Sequence, residues 1–123
     1  MAGLRQPGGH REVVALTAST TLTNNDVGKV FTNRGASGAV TITLPTPDGE
    51  NAGGEIEVCV VADQTVTVTT SDKLILFNDA AADSVAFSTS GEKIGGVFLF
   101  LSDGTGWFAK KASVGANTVT TAT

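Results

Sequence analysis

Side chains that usually carry chemistry are scarce in this sequence. Its 123 residues include one cysteine, one histidine, one methionine, one tryptophan and no tyrosine, and only 16% of residues are charged. A lone cysteine closes no internal disulfide. Cys59 is flanked by Glu57, Val58, Val60 and Val61, which reads as a small buried hydrophobe in a chain made in a reducing cytoplasm. One Cys and one His are too few for a zinc site. His10 follows two glycines in a polar stretch, far from a frame that would fix a general base. Apolar runs such as Val97 to Leu101 fall well short of the roughly 20 residues of a spanning helix. The opening MAGLRQPGGHRE lacks the apolar segment of a secretory signal. Eight basic against twelve acidic residues give a net charge of −4, without the basic footprint of a nucleic-acid binder. The expectation is therefore no enzyme, no cofactor, no metal, no nucleic acid and no membrane partner.

What the chain has in abundance is strand and turn material: 18 Thr, 14 Val and 15 Gly. Such residues favour pleated, half-buried strands over helices. The clearest segment is Val40-Thr-Ile-Thr-Leu44, apolar and Thr in strict alternation, ended by Pro45. Glu55 to Val61 and Thr65 to Thr69 repeat the alternation, and with Asp63-Gln64 between them they read as a hairpin. Val13 to Leu16 begins the first strand, and Asn24-Asn25-Asp26 and Arg34 to Ala39 are turns. Thr46 to Gly54 is a long loop. Lys73 to Phe77 is a short apolar run, Asn78 to Ser84 a loop with at most one helical turn at Asp79 to Asp83, and Val85 to Phe87 a strand. Ile94 to Leu101 reads as buried on both faces. The turn Asp103 to Gly106 brings Trp107-Phe108-Ala109 back beside it, with the aromatics in the core. About eight short strands at this spacing predict a single all-β domain, a β-sandwich, jelly-roll-like fold or small barrel. The expected organisation is an N-terminal arm over 1–12, a β domain over 13–112 and a C-terminal arm over 113–123.

Charge is unevenly placed. Residues 1–47 hold four basic and two acidic groups, 48–72 six acidic and none basic, and 73–123 four of each. This pattern predicts that the arm carrying Arg5, His10 and Arg11, together with Lys110 and Lys111, meets acid on a neighbouring subunit. The loop with Asp48, Glu50 and Glu55 supplies the matching acids. Paired carboxylates at Glu55 and Glu57 and at Asp79 and Asp83 otherwise read as solvated surface, and the glycine pairs at 53–54 and 95–96 as turns or close backbone approaches.

Ala18 to Phe31 (ASTTLTNNDVGKVF), followed by Gly38-Ala-Val-Thr-Ile-Thr-Leu-Pro45, resembles a β module of bacteriophage structural proteins. Thr65-Val-Thr-Val-Thr69 and Ser102-Asp-Gly-Thr-Gly-Trp-Phe108 extend the likeness over about residues 16–109. The resemblance implies a virion protein made in the host cytoplasm. Its expected form is a capsid decoration (cement) protein on the outer surface, trimeric and bound to the major capsid protein. A tail-fibre, head-fibre or tail-tip module binding host glycan or protein is the alternative. The family supplies no catalytic residues, and the chain's length, one module with two short arms, favours decoration.

Overall fold

A computed structural model describes residues 10–76, 79–112 and 118–122, with the backbone alone described at Asp72 and Lys73. The chain is nearly all β, 49% strand and 3% helix, in a curled sheet that forms a half-barrel. Ten strands follow in chain order: β1 (Val13–Ala15), β2 (Thr20–Thr21), β3 (Val30–Thr32), β4 (Val40–Leu44), β5 (Glu55–Cys59), β6 (Val66–Leu76), β7 (Asp79–Phe87), β8 (Val97–Ser102), β9 (Trp107–Ala112) and β10 (Thr120–Ala122). A 3-10 turn at Asn24–Asp26 separates β2 from β3, with Thr23 and Asp26 forming a reciprocal capping box.

Up to β6 the chain winds as a coil. Odd strands stack in parallel as β1, β3 and β5, and even strands as β2, β4 and β6. Each turn of the coil therefore lays one strand on each of two wings. From β7 onward the pairing is mainly antiparallel. β8 adds to β5, β9 folds back on β8, and β7 adds to β6 with β10 outside it. β9 also runs parallel to β6, Leu74 beside Trp107 and Ile75 beside Phe108, which joins the wings into one curled sheet.

Alternation explains which faces meet. Val40, Ile42, Leu44, Val66, Val68, Val85 and Phe87 turn inward from one wing, and Phe31, Ile56, Val58, Phe98 and Phe100 from the other, all almost fully buried in one core. Phe87 and Phe98 stack across the interior with ring centroids 4.4 Å apart. Gly96 permits that contact, since a Cβ there would lie 2.7 Å from the Phe87 ring. Trp107 is fully enclosed and donates its indole N–H to the Pro45 carbonyl at 2.6 Å.

Several expectations from the sequence differ from what is observed: Phe108, expected in the core with Trp107, lies half-buried on the outer side of β9, and Cys59 is half-buried where full burial was expected. β5 and β6 are not a hairpin. After Cys59 the Val60 backbone pairs with Gly95 and Gly96, and the buried Asn33 side chain accepts from the amides of Val61 and Ala62 at 2.8 and 2.9 Å while donating to the Ala62 carbonyl. These bonds carry the chain over to the other wing instead of reversing it. Residues 79–84 are strand rather than loop or helical turn, because they lie along β6 with register shifts at Leu74 and Leu76. β8 alternates, with Phe98 and Phe100 enclosed and Val97, Leu99 and Leu101 half-buried on the outside. Within the segment read as a C-terminal arm, Thr120–Ala122 pair with β7. Residues 1–9, 113–117 and 123 of the two arms lie outside the described residues.

Candidate interaction face

The two wings bury similar inner faces and present unlike outer ones. On the even wing, the row Thr21, Thr43, Thr69 and Ser84 runs across four strands, and Thr41 and Thr67 form a second row. On the odd wing, the outward row crossing β1, β3, β5, β8 and β9 reads Val13, Val30, Glu57, Leu99 and Lys111. Beside it lies Glu55, Leu101, Phe108 and Ile75. Val13 is 63% exposed and Ile75 37%, and Val30, Leu99, Leu101 and Phe108 are half-buried.

Strand position sets the order of chemistry on this face. β5 contributes two acids, Glu55 and Glu57. β8 contributes the apolar ridge Val97, Leu99 and Leu101. β9 contributes Lys110 and Lys111, both exposed, because a bulge between the Leu99–Lys111 and Phe100–Ala109 pairs inserts one extra residue there. Lys110 crosses the ridge to Glu55 at 2.6 Å, and Arg11 reaches Glu57 from the strand edge. Lys29 pairs with Asp26 at 3.1 Å and approaches Glu12 at 3.8 Å. Asp26 is partly enclosed, which favours its neutral form, but the Thr23 amide and Lys29 outweigh that and hold its carboxyl below the usual range.

The sequence placed complementary charges on neighbouring subunits. Two of the expected cations instead find their acids within the chain, Arg11 at Glu57 and Lys110 at Glu55. His10 and Glu50 are exposed, and Lys111 has no acid in ion-pair reach among the described residues. Arg5 falls outside the described residues. Asp48 serves its own loop, accepting from the amides of Glu50 and Asn51 at 2.9 Å each and from the Asn24 side chain at 3.2 Å. Those donors, the Asn51 amide first, pull its carboxyl below the ordinary range.

Sequence reading missed Asn51, which closes that end of the coil. It is 2% exposed, donates to Asn24 and to the Thr46 carbonyl at 2.9 Å, and accepts from the Asp48 amide at 3.1 Å and the Ser102 hydroxyl at 2.6 Å. Its full set of partners marks it as a structural pin. The signal was its place in a Gly-rich loop, where asparagine reads only as a turn former.

Cys59 ends the acid column of β5. Burial, then the charge of Glu57 and a 3.7 Å contact with its carboxylate, push the thiol above its usual value despite Arg11 nearby. That environment quietens a thiol. Among the described residues no cluster of three or more His, Cys, Asp or Glu is arranged to hold a metal ion, and no helix is long and apolar enough to cross a membrane. No protein-family model matches the chain, and no curated protein matches it.

Proposed function

We propose that this chain is a structural virion protein that decorates and stabilises a bacteriophage capsid by binding the lattice of the major capsid protein. The observation that carries the reading is where the phage-like segments fall. Thr20-Thr21, Val40–Leu44 and Val66–Thr69 are adjacent strands in register, and Ser102 to Trp107 closes the loop that holds them. The segments that suggested the module are thus its connected frame.

The physical case is mechanical. A body with one core and pinned coil ends keeps its shape on a lattice, while segments leaving it contact more than one neighbour and raise avidity without a strong single contact. Residues 1–12 and 113–123 are the proposed lattice contacts, with Arg11 and Thr120–Ala122 anchoring them to the body through Glu57 and β7, and the working assembly is a homotrimer on the outer surface of the shell. Deletion of residues 1–9 leaves every described strand intact. It should reduce co-sedimentation with purified capsid shells at least several-fold, with the thermal unfolding midpoint unchanged. Equal shell binding by the deletion variant would count against the arm. Binding to host cells or glycans with none to shells would move the chain to a fibre or tail-tip role.

A further inference from the structure

We infer that the outer face of β5, β8 and β9 docks a second copy of this chain, turned by a two-fold axis that runs along β8. The face is ordered acid, apolar, base from β5 to β9, and that order decides which partner fits. Neighbouring strands are about 4.8 Å apart, so the acid and base columns lie roughly 10 Å apart on either side of the β8 ridge. Rotating a copy by half a turn about the ridge direction and laying it on the first sets ridge on ridge. It also exchanges the flanks, so that the β5 acids come over β9, Glu57 over Lys111 and Glu55 over Phe108 with Lys110 at the bulge beside it. A half-turn about the perpendicular in-plane axis would set acid on acid. The face is therefore complementary to itself in one orientation only, the property of an isologous contact.

Registry sharpens the match. Glu57, Leu99 and Lys111 form one row straight across the three strands. The operation maps that row onto itself, bringing Leu99 to Leu99 and each Lys111 to the Glu57 of the other copy. Lys111 is the cation on this face without an acid in reach among the described residues, and the second copy supplies one. Leu101, Phe108 and Ile75 extend the apolar ridge in the next row, where Ile75 is 37% exposed. The Arg11–Glu57 pair flanks the apolar contact on its β5 side, where a polar rim helps to exclude water from a buried centre.

The inference does not rest on the shell-binding proposal, which concerns the arms and a trimer arranged on the shell, whereas the contact here pairs free chains in solution. Sedimentation equilibrium of the full chain from micromolar to millimolar concentration tests it, with Trp107 fluorescence reporting that each variant is folded. The wild type should dimerise reversibly. Leu99→Asp should raise the dissociation constant at least about tenfold, because the axis sets two buried charges against each other. Leu99→Thr places on this wing the residue type that the other wing already carries, and should weaken the dimer in a variant that keeps its fold. The decisive comparison uses two reversed faces: Lys110→Glu with Lys111→Glu, and Glu55→Lys with Glu57→Lys. Each should be monomeric alone, and an equimolar mixture should dimerise. A wild type that stays monomeric overturns the inference and leaves shell binding untouched. Self-association unaffected by Leu99→Thr, or reversed faces that dimerise alone or fail to pair when mixed, overturns it equally.

Discussion

The odd and even wings make a controlled comparison within one molecule. Both begin as three parallel strands wound by the same coil, and both turn branched aliphatic residues inward. Their outer faces diverge. Thr21, Thr43 and Thr69 line up on the even wing, each β-branched for strand fit yet ending in a hydroxyl content with water. At matching depth the odd wing shows Val30, Leu99, Leu101 and Phe108 with a rim of ion pairs. Since inner packing alone holds either wing to the core, apolar residues outside add exposed surface with no return in the isolated chain. The difference teaches that the two faces have different tasks, solvation for one and contact for the other.

The comparison breaks most severely if the shared core fails. Phe98→Ala should destabilise by about 3–5 kcal/mol. Urea unfolding followed by Trp107 fluorescence and by circular dichroism should remain one coincident transition, since Phe98 stacks on Phe87 of the opposite wing. Separate transitions would mean that the wings fold independently. Next in size are the asparagine pins at opposite ends of the coil. Asn33→Leu leaves the amides of Val61 and Ala62 without their acceptor, and Asn51→Leu deprives Ser102, Asp48 and Asn24 of theirs or of a donor. At about 1–3 kcal/mol for each buried group orphaned, either change should cost about 3 kcal/mol in chemical denaturation.

Exchanging outer residues sharpens the contrast directly. Thr43→Val on one wing and Leu99→Thr on the other should each change stability by less than about 1 kcal/mol. Only the second should alter self-association by sedimentation. A smaller effect concerns acid. Asp48 and Asp103 are held below the ordinary carboxylate range by backbone amides, those of Asn51 and Gly106 first. Folding thus favours their ionised forms, and the unfolded chain binds more protons once the pH drops below about 4. Their stabilisation is complete above that value and is lost as pH falls through the lowered folded values. Denaturation midpoints should be flat from pH 7 to pH 5 as far as these groups contribute, then decline, and Asp103→Asn should make the decline shallower. Smallest of all, Cys59 should alkylate more slowly than a free thiol at mildly alkaline pH. Glu57→Gln should speed it by removing the adjacent negative charge, which disfavours the thiolate.

Much of the strand content was legible because alternation is a local signal. Val40–Leu44 occurs as read, the strand read over Glu55 to Val61 ends at Cys59, and the turn at Asp103 to Gly106 does return Trp107 into the core beside β8. Pairing was less legible, because a parallel partner is another coil away and leaves no mark in the segment itself. Val66 to Thr69 carries the same residues whether it pairs with β5 in a hairpin or with β4 in a stack. The deciding groups, Asn33 and the Gly95-Gly96 backbone, are distant in sequence. Residues 79–84 are polar and rich in alanine, so nothing local marked them as strand; β6 imposes it. The contact face was half visible. Its charged residues stood out singly, but their order across β5, β8 and β9 exists only once the strands are paired.

The alternating coil also sets the timetable of folding. Because successive strands land on opposite wings, no continuous stretch of chain up to β6 contains a complete wing, and β9, which ties the two together, is synthesised after β1 to β8. Apart from the local β6–β7 and β8–β9 pairings, contacts between strands then wait on closure of a longer loop, a topology that slows folding. A ribosome releasing this chain would hold β5 and β6 without their final neighbours until β8 and β9 emerge. The outer face of β5, β8 and β9 is thereby withheld until β8 and β9 have been made.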